Sequence, residues 1–237
     1  MRRLNYVAGT LWAVIVARVG NHAKSRLAAV LDVPARRRLA LAMLSDVLDV
    51  CASAVPPLAG TIAVVDVAEA RWIVERAGAV GVDDPGLGDM NAAVAAGVRA
   101  AAELGAASVV VLPGDVPLIS SRDFQALIDA AGAAMRAVIV GASRDGQGTN
   151  ALLLRPPDVI EPAFGPPSVG RHVRAGLASG AQTRVVPKLG LALDVDTPAD
   201  LGALVDLPVG SHTASALAER RQTSGPSHLT PLSRGIA

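Results

Sequence analysis

The chain has 237 residues, enough for one generous α/β domain or two small ones, and 51% of them are apolar, which supplies a buried core. Aromatic residues make up only 2%, so stacking surfaces for single-stranded nucleic acid are scarce, and a net charge of +1 gives no basic field for DNA, RNA or an acidic membrane. The lone cysteine, Cys51, excludes an internal disulfide or a cysteine-based zinc cluster and fits a reducing, cytoplasmic compartment.

Met1-Arg-Arg ahead of the apolar residues 6–17 has the outline of a secretory leader, but no small-x-small cleavage site follows. Arg18, His22, Lys24 and Arg26 come next, so an apolar strand entering a basic loop explains the same letters. The segment is also shorter than the roughly 20 apolar residues of a membrane span.

Residues 11–17 read as the first strand and 18–27 as a cationic loop. Pro34 opens a helix to about residue 52, with Leu39, Met43, Val47 and Val50 on one face. A strand at 61–65, a helix at 68–77 and an extended piece at 79–82 lead to a glycine-containing loop from Asp84 to Asn91. A helix is expected over 92–104, then a strand from Val109 that delivers Asp115 to its C-terminal end. A helix over 121–133 and a strand over 137–140 follow. A loop through Asn150 enters the apolar 151–154.

Beyond an irregular stretch, a short helix is expected after His172, to about residue 179. A strand-like run over 189–195 ends in Asp194-Val-Asp196, and Thr197 and Pro198 start a helix as N-cap and first residue. From Leu207 the composition turns to Ser, Thr, Pro and Gly, which reads as a poorly ordered tail to residue 237. The alternation of strand and helix from 11 to 206 predicts a single α/β domain. Its sheet is mostly parallel, with helices on both faces in a Rossmann-like manner.

Ligands in such sheets sit beyond strand C-termini, which makes Asp115 a site candidate, although a Gly-Asp pair also suits a plain turn. Asp194 and Asp196 alternate in an extended segment and so share a side. Like charges placed together repel, and a bound cation is the usual compensation. With Asp115 they form a plausible oxygen site for Mg²⁺; alternatively Asp196 only helps start the next helix. Arg18, Lys24 and Arg26 follow the first strand, where they could neutralise a triphosphate or simply be a solvated loop. Gly148-Thr149 and the stretch from Gly165 to Ser168 offer backbone N–H groups and hydroxyls of the kind that hold a small carboxylate or phosphate. The four histidines show no metal-binding spacing, and neither common glycine-rich nucleotide motif occurs.

Taken together, KSRL (24–27), MLSD (43–46), LPGDVP (112–117), GTN (148–150), FGPPS (164–168) and DVDTPADL (194–201) appear in one order. The set resembles the guanylyltransferases of coenzyme F-420 biosynthesis, which act on 2-phospho-L-lactate, phosphoenolpyruvate or 3-phosphoglycerate. That resemblance implies a nucleotide-diphospho-sugar transferase-like domain over residues 1–206 and GMP transfer from GTP to a small phosphorylated carboxylic acid. It further implies Asp115, Asp194 and Asp196 as Mg²⁺ ligands, with Asp115 and Lys24 catalytic. Arg18, Lys24, Arg26 and Asn91 would face the nucleotide, and Thr149, Gly165 and Ser168 the acceptor's carboxylate. Arg18 replaces a common lysine and Met90 a usual leucine. An Ala-rich helix face could serve a homodimer, and no nucleic acid or membrane partner is expected. Alternatives are a related nucleotidyltransferase serving molybdenum cofactor or sugar nucleotides, or a GTP-binding protein without turnover.

Overall fold

Strands with apolar residues at consecutive positions must be covered on both faces, and the seven-stranded sheet is built that way. In the computed structural model, which describes residues 11–86, 88–204 and 207–223, the chain runs β1 (Leu11–Ala17), α1 (Val33–Ala52), β2 (Gly60–Val65), α2 (Ala68–Arg76), β3 (Val80–Asp83), α3 (Met90–Glu103), β4 (Ser108–Pro113) and α4 (Ser121–Ala131). It continues through β5 (Ala137–Ala142), β6 (Thr149–Arg155), α5 (Ser168–Ala178), β7 (Gln182–Val186), α6 (Leu189–Ala192), α7 (Pro198–Ala203) and α8 (Ser211–Thr223).

The strand order is β3-β2-β1-β4-β6-β5-β7, and β6 alone runs against its neighbours. One face is covered from α1, α2 and α4, with Leu44, Ala70, Val74, Phe124 and Leu127 packed on the strands. The other is covered by α3 and α5 through Ala93, Val94, Ala101 and Val173. The second side of α1 carries Leu39 and Met43 into a further apolar cluster with Leu27, Val195, Leu201 and Leu204. The buried face of the Ala-rich α3 is therefore engaged with the sheet. No helix among the described residues is long and apolar enough to cross a membrane.

Register fixes where chemistry can gather. Ala17 pairs with Val65 and Val16 with Pro113, so β1, β2 and β4 end level and release their chains at one sheet edge. β1 lies between strands reached by opposite excursions, the switch point at which open α/β sheets bind ligands. Because β6 is antiparallel, its first residues, Thr149 and Asn150, reach that same edge, not a loop as expected.

Three further expectations are corrected. Residues 189–195 are not a strand: α6 is followed by an extended connection, and the free edge of β5 is taken by β7. The short, polar β7 (QTRVV) escaped detection because an edge strand needs little apolar periodicity. α5 begins at Ser168, so His172 lies inside the helix. Finally, the tail is not poorly ordered over 211–223. Asp46 of α1 caps α8 from 166 residues earlier, accepting the His212 N–H at 3.0 Å and the Thr213 N–H at 2.9 Å. The expected disorder of 224–237 and the reading of residues 1–10 fall outside the described residues.

Candidate functional site

A cavity of about 1090 Å³ opens at the level strand ends, lined by the β1 and β4 exits, the start of the neighbouring β6 and the Phe164–Pro166 region. Gly114 lets the chain leave β4 beside β1, since a Cβ there would lie 2.6 Å from the Ala17 Cβ, and its N–H donates to Val16 O at 2.9 Å. That exit places Asp115 on the cavity wall.

Two of the three expected aspartates, Asp115 and Asp196, meet Lys24, and the third, Asp194, feels the charge of Asp115 beside it. The Lys24 backbone is left-handed (φ 51°, ψ 39°), just before a short 3-10 turn anchored by the buried Leu27. Its ammonium donates to Asp115 Oδ2 and, at 3.0 Å, to Asp196 Oδ1. Burial opposes the Lys24 charge, but the carboxylates of Asp115 and Asp196 outweigh it and hold the pKa above the ordinary lysine value. Arg26, largely exposed, stands 3.7 Å from Asp196 Oδ2.

Asp194 is raised in pKa, first by burial and then by the charge of Asp115 beside it, although Asn150 Nδ2 donates to its Oδ1 at 3.2 Å. Asp115 Oδ1 is buried with no hydrogen-bond partner among the described residues. An unpaired buried carboxylate oxygen, a second carboxyl disfavoured as an anion and an ammonium held between two of the acids describe a hard-oxygen donor set short of positive charge. Such a set fits a divalent cation.

The remaining expected residues separate into those on the cavity and those behind it. Arg18 lines the cavity and braces the loop before α3, with Nε donating to Asp84 Oδ2 at 2.8 Å and Nη1 to Gly88 O at 2.9 Å. Asn91 is spent on the backbone of Phe164, accepting its N–H at 2.6 Å and donating to its carbonyl at 3.3 Å. Its neighbour Met90 lines the cavity. Thr149 and Gly165 lie on the wall, whereas Ser168 is fully buried and bonded to Thr149 Oγ1 at 2.9 Å.

Sequence reasoning missed Asp66, which accepts the N–H groups of Val19 at 2.9 Å and Gly20 at 3.1 Å and so shapes the loop after β1. It also missed Asn150 and His172. The one available signal was the spacing of Ser168 and His172, which puts them one helical turn apart.

The Guanylyl transferase CofC like family model matches residues 11–233. A phosphoenolpyruvate guanylyltransferase of Rubrobacter xylanophilus is 41% identical over 200 residues, covering 82% of this chain and 93% of that protein. A 3-phospho-D-glycerate guanylyltransferase of Phenylobacterium zucineum is 38% identical over 212 residues, covering 87% and 95%. Among solved structures, one assigned as a nucleotide-diphospho-sugar transferase from Desulfovibrio desulfuricans G20 has a TM-score of 0.71 at 19% identity and covers 90% of this chain and 98% of that one. A nucleotidyl transferase from Methanothermobacter has a TM-score of 0.62 at 16% identity, covering 83% and 96%. These structures share the fold, and the sequence relatives carry the activity: the chain belongs to the CofC-like guanylyl transferase family and is a nucleotidyltransferase that transfers GMP.

Proposed function

We propose that the chain transfers GMP from GTP to a small phosphorylated carboxylic acid, with phosphoenolpyruvate the first candidate, releasing pyrophosphate. The observation that carries this reading is the lining of the cavity, which combines two kinds of group. Asp115, Asp194, Asp196 and Lys24 supply charge, and Thr149 and Gly165, close by on the same cavity, offer neutral polar groups. Phosphate and metal chemistry suits the first set and a carboxylate the second. The proposal includes a cytoplasmic setting and a homodimer, with neither nucleic acid nor membrane as partner.

No side-chain nucleophile is needed. A phosphate monoester has its second pKa near about 6, so the acceptor is already largely a dianion at neutral pH. One of its oxygens forms a bond to the α-phosphorus of GTP as the bond from that phosphorus to the bridging oxygen breaks, and pyrophosphate leaves with the electron pair. Asp115, Asp194 and Asp196 would hold Mg²⁺, whose charge, when bound, neutralises phosphate groups that otherwise repel. Lys24, kept protonated by its carboxylate neighbours, would offset charge on the departing pyrophosphate. Arg18 and Asp66 set the loops between which the nucleotide would lie. The neutral His172 and the buried Cys51, whose thiol burial pushes up to about 12, take no part as nucleophiles.

A pyrophosphate-release assay with Mg²⁺ and GTP, run separately with phosphoenolpyruvate, 2-phospho-L-lactate and 3-phosphoglycerate, tests the proposal. Release that depends on one of these acids is expected. Silence with all three would refute it.

A further inference from the structure

His172 lies fully buried inside α5, edge to face with the Phe164 ring at a centroid distance of 5.2 Å. Its Nε2 accepts the Ala163 N–H at 2.9 Å. A backbone N–H can only donate, so that nitrogen carries no hydrogen. Burial, and then the charge of Arg171, lowers the imidazole pKa to about 4, so the ring is neutral at pH 7 and its one hydrogen is on Nδ1. Nδ1 lies 3.0 Å from Thr149 Oγ1 and therefore donates to it.

The hydroxyl hydrogens can then be counted. Thr149 and Ser168 own two, share one hydrogen bond at 2.9 Å and find no acceptor in the imidazole. One hydrogen is left without a partner among the described residues. Ser168 is fully buried, whereas Thr149 lines the cavity. The arrangement that strands no buried hydrogen has Ser168 donating to Thr149 and the Thr149 O–H turned to the cavity.

We infer that His172 is a positioning residue that fixes the direction of this relay, so that Thr149 presents a hydrogen to an anion with acceptor atoms only, a carboxylate. The opposite tautomer would take the Thr149 hydrogen, and the cavity would meet lone pairs that repel a carboxylate. Two accepted hydrogen bonds also polarise the Thr149 O–H and strengthen it as a donor. The inference rests on the proposed acceptor site at Thr149, Gly165 and Ser168, to which it adds a residue the reaction itself never touches.

Nitrogen-15 NMR of the full chain labelled at histidine gives the tautomer directly, with the His172 signals assigned by their loss in His172→Phe. A pyridine-like Nε2 and a pyrrole-like Nδ1 at pH 7 are expected, and an Nε2–H tautomer would overturn the inference. Steady-state kinetics supply the functional arm. His172→Phe keeps the ring volume and should raise the acceptor's KM about tenfold while leaving the KM of GTP within about twofold. His172→Asn, whose amide returns an N–H near the Nδ1 position, should recover most of that loss. Equal rises in both KM values, or an Asn variant no better than the Phe variant, would overturn the positioning role. A wild-type chain that turns over no phosphorylated acid overturns the acceptor reading and this inference with it, whereas an active chain with the wrong tautomer overturns the inference alone.

Discussion

Lys24 decides the charge balance of the site. Its left-handed backbone, a conformation costing non-glycine residues on the order of 1 kcal/mol, persists because the ammonium reaches two carboxylates and Leu27 anchors the following turn. Asp115 is its closest partner and has a buried oxygen with no hydrogen-bond partner among the described residues. Replacing Asp115 with Asn keeps the size and removes the charge. Asp115→Asn should lower pyrophosphate release by about a thousandfold, in line with losing a main electrostatic group. The circular dichroism spectrum and melting temperature should stay close to wild type, and near-normal turnover would remove Asp115 from the catalytic set. Asp115 was marked by a strand end, Asp194 and Asp196 by their spacing in an extended run that is not a strand, and Lys24 by the cationic loop after β1. Asp66 and His172 were not, because their partners are backbone N–H groups and hydroxyls that only the tertiary fold brings within reach.

At the scale of elements, α7 is what holds the acid pair in place. Thr197 and Asp200 form a capping box, and Asp200 Oδ2 also accepts the Asp196 N–H at 3.3 Å. Burial opposes ionisation of Asp200, but the Thr197 hydroxyl and N–H, the Asp196 N–H and the Arg144 charge lower its pKa below the ordinary value. A carboxyl with a lowered folded pKa adds stability that is fully present above its unfolded value near about 3.9 and is lost as pH falls through the folded one. Asp200→Ala should therefore cost about 1 kcal/mol in urea denaturation at pH 7, and the difference from wild type should shrink below about pH 4. A penalty that does not change with pH would contradict this. The helix start at Thr197-Pro198 was readable from its capping letters, and so were the long apolar strands. The β7 edge and the α8 cap were not, since one lacks periodicity and the other borrows Asp46 from α1.

Over the whole molecule, a core of Ala, Val and Leu lets helices lie close to the sheet. Gly97 marks the closest approach: a Cβ there would lie 2.4 Å from Val14 Cγ1 and 3.0 Å from Val64 Cγ2. Alanine at this helical position would gain about 1 kcal/mol in propensity, but overpacking against two fully buried strand residues costs about 1–3 kcal/mol. Packing should win, and Gly97→Ala should lower the melting temperature; a higher one would show that α3 can move off the sheet. Beneath that packing, the sheet register keeps the ends of β1, β2 and β4 level and starts β6 at the same edge, which brings Asp115 and Thr149 to one cavity although they come from different strands.

The measurement that tests the central proposal most directly is phosphorus-31 NMR of the reaction mixture with GTP, Mg²⁺ and phosphoenolpyruvate. One pair of coupled signals from an unsymmetrical diphosphate diester, formed in step with one equivalent of pyrophosphate, is the expected result. GDP with inorganic phosphate, or pyrophosphate appearing without any new diester, would contradict it.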